Sequence, residues 1–189
     1  MHASDDHILL AAAQAGDRDA MERLWERHRR WIAAVLLLHK PRDADLEDLL
    51  QEVATTIVSK IHSLRDPATL PGWLRSVALN AARMAARGTK RRIAAVERFG
   101  REEAAAGRLS GVAPRVERDA GNLLRGRLAS LPSGYAEPLL LRLVHDLSYA
   151  QIAEILELPE TTIENRIVRG RRMLREQAAT DLGLSEQDD

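Results

Sequence analysis

The chain contains no cysteine, so disulfides and thiolate metal sites are both excluded. It also lacks any apolar run of the roughly 18 residues that a membrane-crossing helix requires. The longest candidate, Trp31 to Leu38, is far shorter. Asp5 and Asp6 stand where a secretory signal would carry basic residues. These absences fit a cytoplasmic protein. The histidines are scattered, with no HExxH and no close ligand pair, and there is no glycine-rich phosphate loop. No metal, cofactor, small-molecule substrate or enzymatic constellation is therefore expected. β-Branched runs are short while Ala, Leu, Arg and Glu dominate, which predicts an all-α protein.

Net charge is absent too: 28 basic residues balance 28 acidic ones. The balance hides blocks of one sign. Arg75 to Arg92 holds six bases and no acid. Val144 to Glu164 holds acids and no Lys or Arg, and Arg166 to Arg175 reverses the sign. From Glu176 to Asp189 the chain is purely acidic again. Two separated basic helices suggest two contact points on a long polyanion.

Residues 148 to 175 read as two helices around a short turn. The second helix places Ile163, Ile167, Gly170 and Leu174 on one stripe, which faces a core. Thr162, Asn165, Arg166, Arg169, Arg171 and Arg172 then project from other faces toward bases and phosphates. Small Ala153 in the first helix lets the pair approach closely. A helix-turn-helix uses such a pair to lay its second helix in the major groove. Thr161 and Glu164 have the spacing of a capping box, which would hold Glu164 away from DNA; facing the groove instead, Glu164 could accept from a cytosine amino group.

Along the rest of the chain, Ser4 is the expected N-cap of a helix through Ala15. Further helices are expected over Asp19 to His39, Ala44 to Leu64, and from Trp73 toward Arg92, with a loop at 65–72. Periodicity fails between Phe99 and Gly121, where glycines crowd among charged residues. Four helices are expected beyond that, near 122–130, 134–145, 148–156 and 160–178. The architecture implied is two small helical domains joined by a flexible linker, the second a four-helix domain with the helix-turn-helix. Its boundaries fall at 1–97, 98–121 and 122–180, followed by an acidic tail at 181–189.

The chain resembles the compact extracytoplasmic-function sigma factors of the sigma-70 family of bacterial RNA polymerase. The carboxy-terminal match is Leu131-Pro132, Leu139 to Leu143, Leu147 to Ala153 and Arg166 to Arg175. The amino-terminal match is Ala15-Gly16-Asp17, Glu47 to Val53, and Trp73-Leu74 with Asn80. The stretch between the two is too short for the extra domain of housekeeping sigma factors.

This resemblance implies a non-enzymatic promoter-specificity subunit whose partners are core polymerase, promoter DNA and an anti-sigma factor. Glu47, Asp48, Gln51 and Glu52 would dock on the polymerase. Asp48 and Glu52 share a helical face, and a calcium loop starting at Asp43 fails because Asp48 and Ala54 fall on its required Gly and Glu positions. Arg65, Trp73, Arg75, Asn80, Arg83, Arg87 and Arg91 would handle the opened −10 element, with rings for bases and cations for phosphates. Thr161, Thr162, Asn165, Arg166, Arg169, Arg171 and Arg172 would read the −35 element. The sequence departs from the family at Met84, where an aspartate is common, at Glu157 in place of the turn glycine, and at Glu164, a position usually basic. Two alternatives use the same residues: a helix-turn-helix regulator that works without polymerase, and a sigma-like interaction adaptor.

Overall fold

A computed structural model describes residues 3–104, 126–145 and 147–181, and all regular structure among them is helical. The main helices are α1 (Ala3–Gln14), α2 (Arg18–His39), α3 (Leu46–Lys60), α4 (Leu70–Ala104), α5 (Ala136–His145), α6 (Tyr149–Leu156) and α7 (Glu160–Asp181). Single 3-10 turns at Ile61–Ser63 and Pro67–Thr69 bridge α3 to α4.

Helix starts follow local chemistry. Gly16 takes a positive φ of 94° to turn the chain. Asp17 then caps α2 by accepting from the Asp19 and Ala20 amides at 2.9 and 3.1 Å. Asp45 caps α3 in the same way, through the Glu47 and Asp48 amides. α2 stops at Lys40, whose extended backbone is the conformation a following proline imposes. Ser4, expected to cap α1, lies inside that helix. α3 is shorter than expected, because its last residues tighten into the 3-10 turn at Ile61–Ser63.

α4 departs most from the sequence reading. It begins at Leu70, so Pro71 and Gly72 sit inside its first turn rather than in a loop. Proline is tolerated there because first-turn amides have no intrahelical acceptor in any case. The helix also continues past Arg92 to Ala104, so the first residues of the expected linker are helical. The rest of the expected linker and the tail beyond Asp181 lie outside the described residues, as does the start of the helix expected at 122–130.

α2 is the hub. Leu24, Trp31, Ile32, Val35 and Leu36 are buried along it, and it packs against α1, α3, α4 and α5. The two expected helical regions are present, and the contact of α2 with α5 brings them together. α4 likewise packs on α6, and one apolar core runs through both halves, from Leu10 to Ile167. Within the second half Gly170 is buried, and a Cβ there would stand 2.5 Å from Leu139 Cδ1. That glycine is what lets α7 close onto α5.

Buried beneath α1 is an unforeseen polar cluster. Trp31 Nε1 donates to His28 Nδ1 at 3.1 Å, which leaves the imidazole proton of neutral His28 on Nε2. That nitrogen faces the Asp6 carboxylate at 3.7 Å, while Arg27 donates to Asp6 at 2.7 Å. Burial opposes the Asp6 charge, but the neighbouring His28 imidazole and the hydrogen bond from Arg27 prevail and hold its pKa below the usual carboxylate value. His28 is thus a core histidine.

Candidate nucleic-acid interface

The acidic surface lies on the first turns of α3. Leu49, Leu50 and Val53 face the core, so Glu47, Asp48, Gln51 and Glu52 are all exposed on the opposite side. Among the described residues Glu47 is the one side chain of this group in an ion pair, with Arg29 of α2 at 3.4 Å. An exposed pair of that length contributes little to stability, which leaves the face available to a basic partner.

The 61–70 connection is tied down by a residue that sequence reasoning missed. Gln14 Nε2, from the end of α1, donates to the Ile61 and Leu64 carbonyls at 2.9 and 2.7 Å. Asp66 caps the second 3-10 turn through the Ala68 amide at 3.0 Å. Arg65 is exposed beside this turn, and Trp73 is half-buried against the core. Further along α4, Asn80, Arg83, Arg87, Lys90, Arg91 and Arg92 are exposed. Asn80 accepts weakly from Arg83 at 3.4 Å, and Arg92 pairs with Asp43 at 3.0 Å. Gly88 has open space around it, so no steric demand explains that glycine.

Arg75 does not join this basic face. Its guanidinium turns toward α5 and binds Glu137 through two hydrogen bonds of 2.7 Å. His39 Nε2 approaches the same carboxylate at 3.7 Å. Burial works against the Glu137 charge, yet the two hydrogen bonds and positive charge of Arg75, with the His39 imidazole nearby, lower its pKa to about 2. The Arg75 pKa is raised, chiefly by the same hydrogen bonds. Neither Glu137 nor His39 was singled out from sequence, because nothing in their spacing marks a partner on a distant helix.

The helix-turn-helix is α6, a turn at Glu157 to Pro159, and α7. Ser148 and Gln151 form a reciprocal capping box at the start of α6, with bonds of 3.2 and 2.9 Å. The Ser-x-x-Gln spacing before an apolar run carried that signal, though it was not read. Glu157 adopts φ 54° and ψ 44°, the left-handed conformation expected of the residue replacing a turn glycine. Its side chain lies over Gly72 of α4, where any Cβ would collide with it. The turn of the second half therefore rests on the first turn of α4.

On α7, Ile163, Ile167 and Gly170 are buried, as their spacing required, and Leu174 is half-buried. Thr161, Asn165, Arg169, Arg171 and Arg172 are exposed, and Thr162 is half-exposed. Arg172 pairs with Glu176 at 3.4 Å. Arg166 is turned aside: its guanidinium covers Gly134, within 3.1 Å of where a Cβ would sit. The Thr161–Glu164 capping box does not form. The helix already begins at Glu160, so Thr161 is within the first turn and cannot serve as its N-cap.

Among the described residues no helix is long and apolar enough to cross a membrane, and no group of His, Cys, Asp or Glu could hold a metal ion. A family model described as Sigma-70 region 2 matches residues 24–92, and one described as Sigma-70, region 4 matches residues 122–174. The ECF RNA polymerase sigma-E factor of Haemophilus influenzae is 29% identical over 176 residues, covering 89% of this chain and 93% of that protein. The protein of that description from Escherichia coli strain K12 is 26% identical over 179 residues, covering 89% and 92%. The solved structure of CnrH in complex with the cytosolic domain of CnrY has a similar fold. Its TM-score is 0.62 at 23% identity, and the match covers 94% of this chain and 99% of that one. Two sigma-70 regions in order, on an all-helical frame with an acidic α3 and basic faces on α4 and α7, place this chain in the sigma-70 family, among its extracytoplasmic-function sigma factors.

Proposed function

We propose that this sigma factor docks on core RNA polymerase through Glu47, Asp48, Gln51 and Glu52, and divides promoter reading between α4 and α7. The exposed cations Arg83, Arg87, Lys90, Arg91 and Arg92 of α4 follow the opened −10 strand, with Arg65 and Trp73 at the capture turn. Thr161, Thr162, Asn165, Arg169, Arg171 and Arg172 of α7 engage the −35 duplex. The observation that carries this reading is the coexistence of an exposed acidic face on α3 with two separate exposed basic faces. A regulator working without polymerase has no use for the first. Its place of work is the cytoplasm, with polymerase and chromosome, and an anti-sigma factor completes the partners that family membership implies.

Reading both elements requires the two halves to part. The −35 and −10 elements lie roughly 25 base pairs apart, about 85 Å along B-form DNA. A folded body of this chain length has a radius of gyration of only about 16 Å. Arg75, turned into the contact between the halves, becomes available to DNA once it opens.

The test is transcription in vitro by core polymerase with and without this protein, on promoters from its own genomic neighbourhood. New start sites and a stable complex with core are expected. Absence of both would overturn the reading.

A further inference from the structure

We propose, building on the −35 assignment of α7, that Glu164 accepts a hydrogen bond from a cytosine amino group in the −35 duplex and that Val168 covers a neighbouring thymine methyl. Glu164 is fully part of the exposed surface of α7, and among the described residues it has no ion pair or hydrogen bond. Because the helix starts at Glu160, the cap that would have occupied it does not exist. Glu164 falls in the amino-terminal half of the second helix, the part that a helix-turn-helix directs at base edges.

A carboxylate in that position meets the field of the phosphates and has only acceptors to offer. It is tolerated where a donor faces it. In the major groove the donors are the amino groups of cytosine and adenine, and the adenine amino group sits beside the N7 acceptor of the same base, which repels a carboxylate. Cytosine is therefore the base that Glu164 selects.

Val168 lies one turn further, with 59% of its surface exposed. A branched apolar side chain left outside the core, on the outward side with Asn165, Arg169 and Arg172, matches the one apolar group in the groove, the thymine methyl. Four residues advance about 6 Å along a helix, close to two base-pair rises of about 3.4 Å each. The thymine thus falls within about two base pairs of the cytosine.

The experiment uses holoenzyme assembled from core polymerase and the full chain, on a promoter library randomised through the −35 window, with bound promoters sequenced. Wild type is expected to enrich cytosine at one position and thymine within about two positions of it. Glu164→Ala should flatten the cytosine preference by about tenfold and leave the other positions alone. Glu164→Gln should move the same position toward adenine, since an amide pairs with its N6 and N7. Replacing that thymine by uracil should weaken wild-type binding about fourfold, the value of one methyl group, and leave Val168→Ala holoenzyme unaffected. Sequence selection at −35 that Glu164→Gln leaves unchanged would overturn the proposal while preserving the sigma-factor reading. No selection anywhere in the window would overturn both.

Discussion

The Arg75 guanidinium holds the Glu137 carboxylate with two hydrogen bonds of 2.7 Å, and the two residues lie 62 positions apart, one in each sigma-70 region. This pair, with His39 behind it, fastens α4 to α5 in a largely buried setting. Removing one partner leaves the other charge buried and unmatched, which is why a broken pair costs more than an intact pair contributes.

Arg75→Ala is therefore expected to weaken the contact between the halves by about 2 kcal/mol, discounted from the fully buried case because Arg75 keeps some exposure to water. Small-angle scattering of the full chain should show a larger radius of gyration. Removing both charges together, as Arg75→Met with Glu137→Leu, should restore much of the loss. An unchanged radius in Arg75→Ala would show that apolar packing alone holds the halves together.

Acid should act on the same contact. The Glu137 pKa is lowered from 4.5 to about 2 in the folded protein. A lowered folded value means that the stabilisation is complete above pH 4.5 and is lost as pH falls toward 2. Asp6, also lowered, adds loss of the same sign as pH falls below the ordinary carboxylate range. Denaturant titrations across this window should show stability declining with acid, and Glu137→Gln should remove much of the slope. A slope equal to wild type in that variant would refute the assignment to Glu137.

The left-handed backbone at Glu157 predicts a gain from glycine. A non-glycine residue there carries roughly 1 kcal/mol of strain, so Glu157→Gly should raise the stability of the helix-turn-helix by about that amount. It also removes the side chain covering Gly72. Gly72→Ala should then be tolerated better in the Glu157→Gly background than alone. Thermal melts of the four variants decide this, and additive effects would mean that the two positions do not touch.

Reversing the acidic face should separate docking from folding. Asp48→Lys with Glu52→Lys changes exposed residues only, so the melting temperature should stay near wild type while affinity for core polymerase falls at least tenfold, a figure within the range for charge reversal at an interface. Unchanged affinity in a folded variant would remove α3 from the docking surface.

Much of the fold was legible from side-chain period. The α7 stripe of Ile163, Ile167 and Gly170 is buried where its spacing placed it, and Glu157 bends where a turn glycine was missing. Errors came where a local signal had two outcomes. Pro71-Gly72 reads equally as a loop or as a helix's first turn, and the core contacts of Leu70 and Leu74 decided for helix. Thr161 and Glu164 have capping-box spacing, yet α7 starts one residue too early to use it.

The sequence by itself determined the helices, the stripe each one buries, and the segregation of acidic and basic faces, because these follow from period, capping and charge within a few turns of chain. It also carried the motifs of both sigma-70 regions. Only the tertiary structure decided that the two halves touch, that Arg75 belongs to Glu137 rather than to the exposed basic face, and that Arg166 turns aside while Glu164 stands free. Those outcomes depend on groups far apart in the chain, where burial and geometry choose the partner and no local pattern records the choice.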